Sequence, residues 1–280
     1  MQDELTTRAE NTWCPGCGNF GIMNAVKRSV KVLEERGVGR DRLLMTACIG
    51  CHAKIFDYLA LSGVYALHGR SVAVAQGLKL ANPDLKVLAF TGDGAGYGEG
   101  IAHLIFAAKR NADITVIVHD NGVYALTTGQ RSPTSEAGFE GPSTPRGNEE
   151  DPFNPLALML EAGATFVARG YSARIEELSD IMTAGVEHEG FSLVEVLQPS
   201  VTFTNTYEEY EASVEPVAGP ATTLGDALEL VRERERLFSG VLYRIERPSH
   251  GVRLYKDWNP VARHPDRAAR LEAVRSRVGG

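Results

Sequence analysis

The stretch "KVLAFTGDGAGYGEG", residues 86–100, decides the fold predicted for this 280-residue chain. It begins as an apolar run of strand length that ends abruptly in glycines. A second run of this kind, "ADITVIVHDNG" at residues 112–122, follows a segment with Ile101, Leu104 and Ile105 at helical spacing. Apolar strands that alternate with helices are typical of a parallel sheet covered on both faces. The pattern predicts an α/β fold with a mostly parallel sheet.

Polar residues follow both strands. Asp93 comes directly after the first strand and Asn121 after the second, and a βαβ crossover would place these strands side by side. Gly92 and Gly94 allow the backbone to approach a phosphate, and carboxylate and amide oxygens suit Mg²⁺. The sequence predicts a magnesium and phosphate site at the carboxyl edge of the sheet, where open α/β folds bind ligands. The alternative is two ordinary turns, since GDG and DNG are common turn triplets.

The alternation of strands and helices begins in the N-terminal part of the chain and continues to about residue 215. We therefore predict an α/β domain over residues 1–215, followed by a C-terminal helical extension and basic tail over 216–280, including an amphipathic helix at about 224–238. Within the α/β domain, helices are expected from about Gly98 to Arg110 and from Ser172, the expected N-cap, through Val186. Residues 127–155 show no periodicity and are rich in Pro and Gly. A long irregular segment of this kind is usually functional or disordered.

Composition excludes several classes of protein. The net charge of −7 gives little support to a nucleic-acid partner, because phosphate binding needs a basic surplus. No apolar run reaches the ~18 residues of a membrane-spanning helix, and the N-terminus shows no signal-peptide core. We expect a cytoplasmic protein.

All four cysteines lie in two CxxC pairs. The pairs are Cys14 with Cys17 and Cys48 with Cys51. In a reducing compartment such pairs are more often metal ligands or redox centres than disulfides. The spacing itself suits either iron–sulfur or tetrahedral zinc.

Several motifs in this order resemble the β subunit of 2-oxoacid:ferredoxin oxidoreductases over about residues 10–210: "WCPGCG", "IGCHAK", "ALHGR", "GLKLANPDLKVLAFTGDG" and "VYALTTGQRSPTS". GDG followed after about 27 residues by Asn is the thiamine diphosphate signature. The resemblance implies the thiamine diphosphate-binding fold, with Mg²⁺ held by Asp93, Asn121 and the Val123 carbonyl. It also implies that the cofactor contacts Ile49, Gly50, His68, Gly92, Asp93, Gly94, Ala95, Asn121, Val123, Tyr124, Ala125, Leu126 and Thr127.

The resemblance also gives the cysteines a role. The family holds a four-iron, four-sulfur (4Fe-4S) cluster near the thiamine, and Cys14, Cys17 and Cys51 match three of its ligands. The fourth normally lies in a "QPC" segment, where this chain has "LQPSVTF" with Ser200 in the place of the cysteine. Cys48 stands where the family usually has glycine, so we predict that Cys48 supplies the missing thiolate. The rival interpretation is that Ser200 binds as an alkoxide.

Three basic residues match positions near the reacting groups of the family. His68 and Arg70 are expected to face the diphosphate and the 2-oxoacid carboxylate, and Lys54 is expected near the substrate or coenzyme A. Leu126 and Thr127 align with a segment that shapes the acyl pocket. His119 is interpreted as structural.

The implied activity is the oxidative decarboxylation of a 2-oxoacid with coenzyme A, with electrons passing through the cluster to ferredoxin. "WCPGCG" with Trp13 favours 2-oxoglutarate, converted to succinyl-CoA, and the reverse reductive carboxylation uses the same site. The alternatives are pyruvate as substrate, or a non-redox thiamine diphosphate 2-oxoacid decarboxylase. In this family a separate α subunit supplies the Glu that activates the aminopyrimidine, which implies an αβ or (αβ)₂ assembly.

Overall fold

An eight-stranded sheet forms the centre of the computed structural model, which describes residues 4–233, 236–256, 258–261 and 266–278. The strands, in chain order, are β1 (Leu43–Ala47), β2 (Ser62–Tyr65), β3 (Lys86–Gly92), β4 (Ile114–Asp120), β5 (Val123–Tyr124), β6 (Gln130–Arg131), β7 (Phe166–Tyr171), β8 (Phe191–Leu197), β9 (Val214–Pro216) and β10 (Leu237–Arg244). The sheet runs in the order β2-β1-β3-β4-β8-β7-β10-β9, while β5 and β6 pair separately. The strands from β2 to β7 pair in parallel, as the sequence predicts.

Helices cover both faces of this sheet. They are α1 (Asn19–Glu35), α2 (Ile55–Tyr58), α3 (Ser71–Ala81), α4 (Ile101–Arg110), α5 (Pro155–Glu161), α6 (Ile175–Glu187), α7 (Tyr207–Ser213), α8 (Leu224–Arg232), α9 (His250–Tyr255) and α10 (Arg267–Val278). Helices α1, α2 and α6 contribute buried side chains to one core, with α3, α4, α5 and α8 contributing to the other. Strands β3, β4, β7 and β8 are almost entirely buried, as expected for strands covered on both faces. The predicted fold class is confirmed.

The adjacency of β3 and β4 positions the site. The two strands are parallel neighbours, with Gly92 opposite His119 at their carboxyl ends. Asp93 and Asn121 therefore leave the sheet at the same edge. After Asp93 the chain makes a wide helical turn over Gly94–Glu99 before α4 begins, so the regular helix starts three residues later than its predicted start at about residue 98.

Two predicted helix boundaries differ from the structure. Ser172 is not an N-cap, because residues 172–174 form a turn with the Arg174 amide bonded to the Tyr171 carbonyl, and α6 begins at Ile175. The helix predicted to reach residue 238 ends at Arg232, and Leu237–Arg244 instead forms β10, antiparallel to β7. The C-terminal region is thus not only helical, while its division from the rest at residue 215 stays a prediction.

The long segment predicted to be irregular folds over the edge of the sheet. The buried Asn148 side chain holds it together by donating hydrogen bonds to the carbonyls of Ser135, Glu136 and Glu150. This arrangement carries residues 132–135 to Asp93. None of the helices in the described ranges is long and apolar enough to cross a membrane.

Candidate active site

A cavity with about 480 Å³ of empty space lies at the carboxyl edge of β3 and β4. Its lining contains every residue predicted to contact the cofactor, together with four others that were not in that set: Cys51, His52, His119 and Gln198. Asp93 and Asn121 both line it, so the structure brings the two predicted metal ligands to one place.

Asp93 is a buried carboxylate that faces hydroxyl groups. Only 2% of the residue is exposed. Ser132 Oγ donates a hydrogen bond to Asp93 Oδ2, and Thr134 Oγ1 donates another at 3.0 Å. Burial raises the pKa of Asp93 above its ordinary value, and these hydrogen bonds oppose the rise. A buried carboxylate normally needs a cation, because its desolvation is costly. Asp93 therefore fits a divalent metal ion.

A second acid, the half-buried Asp120, was missed by the sequence reasoning. Thr134 Oγ1 lies 2.7 Å from Asp120 Oδ1 as well as contacting Asp93. Burial raises the pKa of Asp120 well above its ordinary value, and the charges of Asp93 and Glu195 raise it further. The Thr134 hydroxyl therefore lies between two acid groups, Asp93 and Asp120.

Asn121 is held by a local turn of the backbone. Its Oδ1 accepts a hydrogen bond from the Val123 amide at 3.2 Å, and its carbonyl accepts one from Thr204 Oγ1 at 2.7 Å. Gly122, between the two predicted ligands, has a φ of +67°, a conformation that favours glycine. The turn keeps Asn121 and Val123 on the cavity wall, where amide and carbonyl oxygens could complete a magnesium site.

Glycines bring the backbone close to the cavity. A Cβ added at Gly94 would lie 2.4 Å from Cε1 of Tyr124, and one at Gly92 would lie 2.8 Å from Nδ1 of His52. Neither position has room for a side chain. The structure thus gives a physical reason for the GDG motif: the backbone next to Asp93 is packed against two side chains of the lining and remains accessible to a ligand.

Two buried histidines, His52 and His119, form one wall of the cavity, and the structural role expected for His119 stays a prediction. The rings of His52 and His119 lie 5.7 Å apart between centroids. Burial lowers the pKa of His52 to about 4, despite the opposing charge of Asp93, and lowers that of His119 well below its ordinary value. Both are therefore neutral near pH 7. Side chains alternate between the two faces along a strand, so the sequence could have placed His119, two positions before Asn121, on the same side as Asn121.

The predicted basic residues lie in different surroundings. His68 lines the cavity, stacks on Tyr124 at 6.0 Å, and has Nδ1 3.3 Å from Glu99 Oε2. Arg70 is exposed, lies outside the cavity lining, and donates to the Glu99 carbonyl at 3.0 Å. Lys54 also lies outside the lining and donates to Thr12 Oγ1 at 2.9 Å. Catalytic roles for Arg70 and Lys54 stay predictions that the cavity does not support.

Three of the four cysteines form a group beside the cavity. Cys14, Cys17 and Cys51 act on one another electrostatically. Burial raises the pKa of Cys17 and Cys51, and the Lys54 ammonium opposes this rise. The Trp13 indole donates a hydrogen bond of 2.7 Å to the Cys51 carbonyl and so joins the two CxxC loops.

Amide and hydroxyl donors surround the sulfurs of this group. Cys17 Sγ lies 3.4 Å from Asn19 Nδ2 and 3.5 Å from Gln198 Nε2, while Thr202 Oγ1 lies 3.3 Å from Cys14 Sγ. Such donors suit thiolates, because a thiol is a weak acceptor.

Cys48 lies in a different environment from the other cysteines. It is fully buried after β1, and its Sγ contacts His52 Nε2 at 3.3 Å and Thr91 Oγ1 at 3.7 Å. The prediction that Cys48 supplies the fourth thiolate therefore finds no support in these contacts, because its side chain turns inward towards β3.

The segment that contains Ser200 lies against the three-cysteine group. The Gly18 amide bonds to the Pro199 carbonyl, and Thr202 contacts Cys14. Ser200 itself is 6% exposed. Among the residues that the structure describes, no three His, Cys, Asp or Glu side chains form a group that could hold a metal ion, so the cluster and the zinc alternative both stay predictions.

Comparison with known proteins shows the family of this chain. Residues 45–196 match the family model described as "Thiamine pyrophosphate enzyme, C-terminal TPP binding domain". The chain is 37% identical to the 2-oxoacid:ferredoxin oxidoreductase subunit beta of a Sulfolobus species, over 94% of each chain. It is 39% identical to the 2-oxoglutarate synthase subunit KorB of Methanothermobacter marburgensis, over 74% of this chain and 72% of that protein.

A solved structure extends the likeness to three dimensions. The 2-oxoglutarate:ferredoxin oxidoreductase from Magnetococcus marinus, with 2-oxoglutarate, coenzyme A and succinyl-CoA bound, superposes with a TM-score of 0.85 at 34% identity, covering 100% of this chain and 91% of that one. Fold and site together define a thiamine pyrophosphate-binding oxidoreductase. Within that class, the chain belongs to the family of 2-oxoacid:ferredoxin oxidoreductase beta subunits.

Proposed function

We propose that this chain binds magnesium thiamine diphosphate in the cavity and catalyses, with an α subunit, the coenzyme A-dependent oxidation of 2-oxoglutarate to succinyl-CoA. The observation that carries the proposal is the buried Asp93, which lines the cavity without a cationic side chain bonded to its oxygens in the described residues. Thiamine diphosphate held there would supply the carbanion chemistry that the decarboxylation of a 2-oxoacid requires.

The residues of the chain have separate tasks in this proposal. Asp93, Asn121 and the Val123 carbonyl hold Mg²⁺, and Ser132 and Thr134 orient the Asp93 carboxylate. The tight backbone at Gly94 leaves room for the diphosphate. His52 and His119 are neutral near pH 7 and exclude water from one wall. These groups position the cofactor and exclude solvent, which is the usual contribution of the protein in such enzymes.

An iron–sulfur cluster on the cysteine side is the second part of the proposal. Cys14, Cys17 and Cys51 would supply three thiolates, and the Ser200 segment would lie at the fourth position in place of Cys48. Cys51 also lines the cavity, so the cluster would adjoin the cofactor. This proximity supports stepwise electron transfer to the cluster and from there to ferredoxin.

The cavity also supports the need for an α subunit. Its lining, within the described residues, includes three histidines but neither Lys nor Arg. It also lacks a Glu that could activate the aminopyrimidine. A 2-oxoacid carboxylate requires a cationic or strongly hydrogen-bonding partner. We propose that the α subunit completes this part of the site, in an αβ or (αβ)₂ assembly.

The test is anaerobic purification of the chain with its neighbouring subunit, followed by quantification of iron, acid-labile sulfide and thiamine. We expect all three, together with ferredoxin reduction that depends on coenzyme A and is faster with 2-oxoglutarate than with pyruvate. Decarboxylation without any iron or sulfide would instead establish the non-redox decarboxylase. Preference for pyruvate would overturn the assigned substrate while leaving the reaction class intact.

A further inference from the structure

Two buried side chains of the cavity lining have acceptor atoms without a hydrogen-bond partner among the described residues. They are Nε2 of His119 and Oε1 of Gln198, and each residue is only 1% exposed. Buried polar atoms in native proteins are nearly always paired. Missing partners at two positions of one ligand cavity point to a group that the ligand itself provides.

The hydrogen bonds of His119 determine what that group must be. His119 Nδ1 lies 2.7 Å from Asn19 Oδ1, and Asn19 Nδ2 points to Cys17 Sγ at 3.4 Å. An amide oxygen can only accept, so the proton of the imidazole is on Nδ1. The Nε2 atom then carries a lone pair and accepts a hydrogen bond.

The orientation of Gln198 is fixed in the same way. Its Nε2 donates to the Pro199 carbonyl at 3.2 Å and to Cys17 Sγ at 3.5 Å. The amide nitrogen must face the carbonyl, so the unpaired atom is the acceptor oxygen. Both unpaired atoms are therefore acceptors, and both side chains lead back to the same sulfur.

We propose that His119 and Gln198 form a two-acceptor wall that binds the exocyclic amino group of thiamine diphosphate and connects it to Cys17. The proposal rests on the function proposed above. Diphosphate oxygens, which carry negative charge, are excluded from this wall and lie instead towards Asp93 and Gly94. Gln198 donates to Cys17 Sγ directly, and His119 reaches the same sulfur through Asn19. Binding of the amino group therefore changes the hydrogen bonding of a cluster ligand, and such hydrogen bonds tune the reduction potential of the cluster.

The experiment uses the anaerobic complex with its neighbouring subunit, stripped of cofactor. Two probes are titrated calorimetrically with Mg²⁺: thiamine diphosphate, and oxythiamine diphosphate, in which a carbonyl replaces the amino group. His119→Asn keeps a donor at the Nδ1 position towards Asn19 but removes Nε2. Gln198→Met removes the oxygen at similar size.

His188→Asn is the matched control. His188 is also 1% exposed, with Nε2 2.8 Å from Thr165 Oγ1 and Nδ1 without a hydrogen bond, but it lies outside the cavity lining. Its substitution removes a comparable buried imidazole. It therefore reports any loss of binding that comes from destabilising the fold.

We expect the parent complex to bind thiamine diphosphate at least tenfold more tightly than the oxo analogue. His119→Asn and Gln198→Met should each reduce this preference about tenfold, whereas His188→Asn should leave it unchanged. Cofactor binding should also shift the cluster reduction equilibrium of the parent and of His188→Asn, but not that of His119→Asn.

Retention of both the preference and the potential shift in the two cavity variants would overturn the inference and assign the unpaired atoms to buried water. Failure of the parent complex to bind thiamine diphosphate at all would instead reject the proposed function. Should His119→Asn fail to fold, Gln198→Met decides the matter by itself.

Discussion

The substitution Asp93→Asn tests the proposed metal site with little expected change in the stability of the metal-free fold. Asp93 is buried and bonded to the hydroxyls of Ser132 and Thr134. Replacing the carboxylate with an amide weakens these bonds, at a cost of ~1 kcal/mol each, but it also removes a buried negative charge, which burial disfavours. These effects oppose each other, so we expect the metal-free variant to unfold within ~1 kcal/mol of the parent.

The ligand response should differ much more. At 100 times its dissociation constant, magnesium thiamine diphosphate stabilises the parent by ~2.7 kcal/mol, which corresponds to roughly 5 °C in Tm for a domain of this size. The variant should show no shift at the same concentration. Thermal unfolding followed by circular dichroism, with and without Mg²⁺ and cofactor, measures both quantities. An equal ligand-induced shift in Asp93→Asn would refute the assignment of Asp93 as a metal ligand.

Three further predictions follow from the site. Burial raises the pKa of Asp93, so the contribution of Asp93 to the stability of the metal-free protein is lost as the pH rises through that raised value. Mg²⁺ needs the carboxylate and should therefore bind more tightly over the same pH rise, with release of protons. Calorimetry in two buffers measures this proton release, and pH-independent binding would contradict the prediction. Ser200→Ala should lower the iron and sulfide content of the anaerobic complex while Cys48→Ala leaves it unchanged, and the reverse result would restore Cys48 as a ligand. Gly94→Ala should destabilise the chain by ~1–3 kcal/mol because its Cβ would meet the Tyr124 ring at 2.4 Å. The control Gly77→Ala, in α3 with open space around it, should stabilise the chain by up to ~1 kcal/mol. Chemical denaturation measures both changes, and equal effects would show that the crowding at Gly94 is relieved.

Spacing along the chain predicted the centre of the site because one βαβ unit contains it. Asp93 and Asn121 follow consecutive apolar strands, and parallel neighbours end at the same edge. The position of Cys48 could not be obtained in this way, since CxxC spacing does not determine where a side chain points. Its thiol turns towards Thr91 because the strand before it is buried.

Other features depended on contacts between distant segments. Strand β10 lies in the region predicted as a helical extension and begins within the last two residues of the helix predicted at about 224–238. Its short apolar run, "LFSGVLYR", is compatible with either structure, and only its pairing with β7 decides between them. The approach of Thr134 to both Asp93 and Asp120 depends on how residues 127–155 fold back over the sheet edge. No local pattern in that segment indicates this.

Cys51 is part of the three-cysteine group and also part of the cavity wall. Under the proposed function, damage to the cluster by oxygen would release this residue and open the wall beside the cofactor. Inactivation in air should therefore discharge thiamine diphosphate along with iron, and protection of either one should prolong the retention of the other.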